Sequence, residues 1–194
     1  MAWILEDRRA AAPEKDKTYL TDALKAEIAK YFPRYPTKRA CLLPALHIVQ
    51  HAYNWIPAKA IQEVAEFLEL APAEVIDTAT FYEEYWLKPK GKYLIGVCRS
   101  LACEICGHKE LTKRVQQKLK IDVGETTADG RFTLVEMECV GSCGTAPAAL
   151  VNKVLHETLT PDQLERVIDS LPADPHDYVD PTLPKETNGQ GGHH

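Results

Sequence analysis

Five of the six cysteines in this chain fall between residues 98 and 143. Cys98 and Cys103 enclose four residues, Cys139 and Cys143 enclose three, and Cys106 follows Cys103 after two more. Thiolates in spaced pairs are soft ligands for iron or zinc, and four of them can surround a dinuclear [2Fe–2S] core, each pair holding one iron. Spacing alone leaves two ligand sets open. One is Cys98, Cys103, Cys139 and Cys143; the other replaces Cys143 by Cys106, giving C-x4-C-x2-C with a distant fourth thiol. The first set is preferred because Gly107 already opens a helix, and because the second leaves Cys143 without a task inside the glycine-rich run Cys139-Val-Gly-Ser-Cys143-Gly-Thr-Ala-Pro. That run lets backbone N–H groups approach and point at sulfur. A single structural zinc, which also takes four thiolates in pairs, is the competing reading.

A [2Fe–2S] core exchanges one electron and makes no bond to a substrate, so no general acid, base or nucleophile is assigned. With four thiolates it is a dianion when oxidised and gains a further negative charge on reduction, so positive neighbours favour the reduced state. Arg99 and the N–H groups at the start of the helix after Gly107 should raise the potential; Glu104, Glu136 and Glu138 should lower it. Neither a Gly-x-Gly-x-x-Gly fingerprint nor a P-loop occurs, so a nicotinamide would bind elsewhere.

The chain around the cysteines has to bring the two pairs together. Lys92 to Val97 reads as a buried strand and Arg131 to Glu138 alternates as a strand should, so each pair directly follows a strand. Parallel neighbouring strands would place both pairs at the same end. Between them, Gly107 to Lys120 reads as a helix with Leu111, Val115 and Leu119 inward, then Asp122 to Gly130 as a polar loop. Ala148 to Glu157 reads as a hairpin around Asn152-Lys153. A last helix is signed by Thr160, Pro161 and Gln163 as a capping box, with Leu164, Val167, Ile168 and Leu171 as its stripe. Strand, helix, strand, hairpin, helix predicts a thioredoxin-like α/β layer over residues 91–172.

Residues 1–90 change period and predict a helical bundle. Leu20, Leu24, Ile28 and Tyr31 recur at helical spacing. Arg39 to Tyr53 follows, with Pro44 in its first turn or at a kink. Pro57 opens a helix faced by Ile61, Val64, Ala65 and Leu68, and Pro72 opens a fourth. Cys41 reads as a small apolar helix residue, and His47 and His51 as ordinary helix residues lacking a third ligand. Phe81, Tyr82, Tyr85 and Trp86 read as a packing face for another domain or subunit, and Lys88, Lys90 and Lys92 as a solvated turn. Residues 173–194, rich in proline and glycine, should be extended or disordered. The fold class is therefore α/β, a helical partner-docking unit followed by the cysteine-bearing one.

With 45% hydrophobic residues the chain can bury a core, and its formal charge of −5, with 23 basic residues scattered, argues against a nucleic-acid partner. No apolar run reaches the ~20 residues of a membrane-spanning helix. The start, with Glu6 and Asp7, lacks a signal peptide's apolar stretch. A reducing, cytoplasm-like compartment is expected.

The sequence resembles the E-type subunits of respiratory complex I, NADH:quinone oxidoreductase. The likeness covers roughly Tyr31 to Leu171. It rests on the four cysteines with Ala146-Pro147, and on Leu43-Pro-Ala-Leu46, Gln50, Trp55, Val64-Ala65, Ala79-Thr-Phe-Tyr82 and Leu87-Lys-Pro-Lys-Gly-Lys-Tyr93. The Glu83-Glu84-Tyr85-Trp86 stretch and Cys106 depart from it. The resemblance implies one [2Fe–2S] cluster on Cys98, Cys103, Cys139 and Cys143. It also implies a partner F-type subunit carrying FMN and NADH, and a place in a peripheral arm at the inner face of the membrane, the matrix side in a eukaryote. The equivalent subunits of NAD-linked hydrogenases and formate dehydrogenases share the pattern.

Overall fold

The structure, a computed structural model, describes residues 17–175. The expectations for the N-terminal start, for the tail beyond residue 175 and for His193-His194 lie outside the described residues. The chain divides into two compact units between Lys90 and Gly91.

In the first unit, Thr21 caps α1 (Asp22–Ala29) by accepting a hydrogen bond from the Leu24 N–H. The second helix does not run from Arg39. A 3-10 turn (Lys38–Cys41) comes first, and α2 (Leu42–Tyr53) places Pro44 in its opening turn, where the missing N–H costs no intrahelical bond. Pro57 precedes α3 (Ala58–Leu68) as its N-cap, and Pro72 begins α4 (Pro72–Phe81). Ile61, Val64, Ala65 and Leu68 are buried together with Ile28, Leu46 and Val49, so the helical period reports the core face directly. Cys41 is buried in the same core. The Gln50 side chain donates to the Glu84 carbonyl (2.8 Å) and accepts from the Trp86 N–H (2.8 Å), which fastens the segment after α4 to α2. Tyr85 is buried and donates to the Leu43 carbonyl (3.0 Å); burial pushes its phenol up to about 12. Phe81, by contrast, is 77% exposed.

The second unit is a four-stranded sheet in the order β2-β1-β3-β4, formed by β1 (Tyr93–Cys98), β2 (Phe132–Met137), β3 (Ala149–Val151) and β4 (Val154–His156). Strands β1 and β2 are parallel, with Cys98 opposite Met137; β3 runs antiparallel to β1 and β4 to β3. Gly91 leads into β1 so close to the Phe132 backbone that a Cβ would sit 2.6 Å from its carbonyl carbon, which leaves no room for another residue. The connection from β1 to β2 carries two helices, α5 (Leu101–Ile105) and α6 (His108–Leu119). The second was legible from its apolar spacing; the first, five residues long, is too short to show a period. Helix α7 (Pro161–Ser170) has the anticipated capping box: Thr160 Oγ accepts from the Gln163 N–H and the Gln163 side chain accepts from the Thr160 N–H. It packs on α6, with Arg114 bridging Asp162 and Glu165 along the exposed seam. Ile95, Leu134, Leu111, Val115, Leu164 and Ile168 form the core between sheet and helices. Among the described residues no helix is long and apolar enough to cross a membrane.

Candidate metal centre

Because β1 and β2 are parallel neighbours in register, the residues that follow them leave the sheet at the same end. Cys98 is the last residue of β1, and Cys103 sits one turn into α5, so a strand end and a helix hold the first pair. Both are 2% exposed and pack against Ala148, with Val140, Ala146 and Leu155 around them. The Cys98 N–H donates to the Ala148 carbonyl (3.0 Å), and its thiol lies 3.3 Å from the Glu138 carbonyl. Burial pushes the Cys103 thiol up to about 11, opposed by a contact with the Ala148 backbone and reinforced by the Cys98 and Cys143 sulfurs.

The second pair is held by backbone rather than by a packed core. Cys139 follows β2, Cys143 opens a 3-10 turn (Cys143–Thr145), and both are exposed. Their sulfurs are 4.0 Å apart. Gly141 adopts φ +81°, a conformation that favours glycine, and its N–H donates to Cys139 Sγ at 3.4 Å. That N–H, then the Cys143 thiol and the Ser100 hydroxyl, hold the Cys139 thiol below its ordinary value, while the same shared contact raises Cys143. The glycines leave open space: a Cβ built at Gly141 or Gly144 would meet nothing within 4 Å.

The four sulfurs preferred from the sequence are thus brought into one neighbourhood. Cys98 and Cys143 stand close enough to raise the Cys103 thiol, and Cys139 and Cys98 close enough to raise that of Cys143. Cys106 is exposed and terminates α5. Among the described residues no group of three or more His, Cys, Asp or Glu side chains is drawn together as around a single metal ion. Four soft donors in two pairs, an N–H already bonded to sulfur and open glycine backbone beside it fit a dinuclear iron–sulfur group.

The charges around the site need one correction. Arg99 does not stand as a lone cation: its guanidinium pairs with Glu138, joining the residue after Cys98 to the residue before Cys139. Glu104 is likewise held below the usual carboxylate range, chiefly by Lys109. Glu136 accepts from Thr112 (3.1 Å) and lies 3.7 Å from His108 Nε2. Glu138 and Glu104 are therefore compensated, by Arg99 and by Lys109, whereas Glu136 is held by the Thr112 hydroxyl. His108, buried with Nδ1 3.0 Å from Glu104 Oε2, was missed as well, although the two stand only four residues apart. A contact between Ser142, Thr145 and Glu157 was missed too. His47 and His51 line an open groove on the helical unit with Tyr31, Tyr35 and Leu43.

Comparison with known proteins agrees with this geometry. The family described as thioredoxin-like [2Fe–2S] ferredoxin matches residues 28–172. The chain is 34% identical over 157 residues to the E-type subunit of the NADH-quinone oxidoreductase of Pseudomonas aeruginosa, covering 81% of this chain and 95% of the relative. It is 39% identical to the corresponding NADH-quinone oxidoreductase subunit from Rickettsia bellii, over 74% of this chain and 86% of that one. The HndA subunit of the NADP-reducing hydrogenase of Solidesulfovibrio fructosivorans is 33% identical over 77% of this chain and 87% of its own. Among solved structures, an NAD+-reducing [NiFe]-hydrogenase in the air-oxidised state superposes with a TM-score of 0.59 at 29% identity. That match covers 66% of this chain but only 22% of the hydrogenase chain. A parallel strand pair delivering two cysteine pairs to one end, matched over three quarters of the sequence, places this chain in the thioredoxin-like [2Fe–2S] ferredoxin family.

Proposed function

We propose that the chain is the one-electron subunit of an NADH:quinone oxidoreductase, with Cys98, Cys103, Cys139 and Cys143 as the iron ligands. Its electron partner is an F-type subunit that binds FMN and NADH. The observation that carries this reading is the parallel register of β1 and β2, which sends both thiol pairs out at one end of the sheet. The similarity to proteins named as parts of NADH-quinone oxidoreductase supports the host complex.

When bound, a [2Fe–2S] cluster supplies a one-electron redox centre. The chain's own part is to hold four thiolates. Packing around Cys98 and Cys103 excludes water from one side, and the Gly141 N–H stabilises negative charge on Cys139 from the other. Because NADH gives up a hydride and this sequence has no dinucleotide fingerprint, a flavin must convert two electrons into single ones on the partner. Residues 1–90 supply a docking face through exposed Phe81 and Tyr82. As part of such a complex the chain works at the inner face of the cell membrane.

The cluster-loaded chain alone should be reduced by dithionite and not by NADH, and rapid bleaching by NADH without the flavin partner would refute this reading. Phe81→Asp should weaken capture by the flavin-bearing partner at unchanged melting temperature; undiminished capture would remove the docking assignment. A second host, an NAD(P)-linked hydrogenase, is favoured by the likeness to HndA. Purification of the native complex separates the two, by quinone reduction against hydrogen oxidation.

A further inference from the structure

The Cys139–Cys143 loop lies exposed, yet one carboxylate from a different part of the sheet is fastened to it. Glu157 follows β4, and its Oε1 accepts hydrogen bonds from both the Ser142 and the Thr145 hydroxyls. Each hydroxyl carries a single hydrogen. With both spent on Glu157, the 2.5 Å approach of Ser142 Oγ to Thr145 Oγ1 is two donors drawn onto one shared acceptor. Ser142 and Thr145 flank the Cys143–Gly144 dipeptide, so the carboxylate closes a clamp across the fourth ligand. The backbone beside it is laced to the same loop. Thr158 N–H donates to the Thr145 carbonyl (2.7 Å) and Leu159 N–H to the Pro147 carbonyl (3.0 Å). Thr158 takes φ +49° to do so, a left-handed conformation that a β-branched residue adopts only when its surroundings impose it.

We propose that Glu157 is a positioning residue for the metal-binding loop: through Ser142 and Thr145 it holds Cys143 beside Cys139, so that the exposed thiol pair is set for its iron. This rests on the ligand assignment made above. A second consequence follows from charge alone. A carboxylate beside an anionic centre disfavours the added electron, so Glu157 also keeps the reduction potential low.

The test uses the full chain loaded anaerobically with ferrous iron and sulfide. Wild type is compared with Glu157→Ala, Glu157→Gln and the double variant Ser142→Ala with Thr145→Val. The readouts are iron loss to a chelator, midpoint potential by dye-mediated titration, and melting of the metal-free chain. Glutamine keeps an oxygen that accepts both hydroxyls, so Glu157→Gln should hold iron about as long as wild type while its potential rises. Glu157→Ala should lose iron about tenfold faster, the scale of the two hydroxyl hydrogen bonds it gives up. The double variant should lose iron as fast as Glu157→Ala without the rise in potential, since its charge is intact. Metal-free melting should match wild type throughout.

Equal iron retention in wild type and Glu157→Ala would overturn the proposal. So would equally fast loss from Glu157→Ala and Glu157→Gln, which would make charge alone responsible. Parallel loss of metal-free stability in Glu157→Ala and the double variant would reduce Glu157 to a fold residue. A wild-type chain that takes up no cluster would instead bring down the ligand assignment beneath it, and is recognised before any variant is compared.

Discussion

The two thiol pairs offer the same donor atoms in opposite surroundings. Cys98 and Cys103 are buried against Ala148, fixed by a strand end and a helix, and Cys103 resists ionisation until about pH 11. Cys139 and Cys143 are exposed on a glycine-bearing loop, held by an N–H and by hydroxyl contacts, and Cys139 ionises more readily than a free thiol. The buried pair is packed into a small core with Ala148. The exposed pair has little structure of its own beyond the bonds that aim it. Burial keeps water from one pair, and the other stands open to solvent.

Serine substitutions should break the comparison most visibly. Each of Cys98→Ser, Cys103→Ser, Cys139→Ser and Cys143→Ser should lose or alter the cluster's spectrum, while Cys41→Ser and Cys106→Ser should keep it. In the metal-free chain the pairs should separate. Cys98→Ser or Cys103→Ser replaces a packed sulfur by a smaller, more polar hydroxyl and should cost about 1–3 kcal/mol in denaturant unfolding. The same change at the exposed pair should stay within about 0.5 kcal/mol. Equal costs at all four positions would erase the distinction.

A pH series sharpens it. The Cys103 thiol titrates near 9.0 when unconstrained and about 11 in the fold, so the folded state holds its proton more tightly. Its contribution is therefore complete below pH 9 and is lost as pH rises through about 11. The loss should be on the order of 2 kcal/mol in the metal-free chain. Cys103→Ala should flatten that segment of the curve. In thiol labelling across the same range, Cys139 should react before Cys103; the reverse order would contradict the burial argument.

The legibility of the sequence followed the same division. Whatever depended on periodicity was readable: the apolar face of α3, the inward positions of α6, and the strands before each cysteine pair. Local chemistry was readable too, as in the capping box at Thr160 and the hairpin at Asn152, which takes φ +53°. Helix α5 was not, because five residues hold little more than one turn. Nor were the pairing of Arg99 with Glu138 and the reach of Glu157 to Ser142, since both join side chains far apart in sequence. The exposure difference between the pairs was also hidden, because the packing of Ala148 on Cys98 and Cys103 depends on the antiparallel register of β3 against β1.

Smaller effects probe the link between the pairs. Gly141→Ala forces a side chain into φ +81°. It should cost about 1 kcal/mol. That cost should appear as faster cluster loss with metal-free melting nearly unchanged, and a large drop in melting would show that the loop supports the fold after all. Arg99→Ala should lower the midpoint potential slightly and Glu138→Gln raise it. The combined change should lie near wild type, because the two charges already compensate each other. A large shift in the combined variant would mean that they act on the site independently.

The central claim, that the two unlike pairs together hold one dinuclear cluster, is tested most directly by metal and acid-labile sulfide analysis with EPR of the reduced full chain. The expected result is a brown protein with two irons and two sulfides per chain. Reduction by dithionite should give a signal from one unpaired spin, absent from all four ligand variants and retained in Cys106→Ser. A colourless chain carrying one zinc and no sulfide would contradict the claim. So would a cluster that survives Cys143→Ser and is lost in Cys106→Ser.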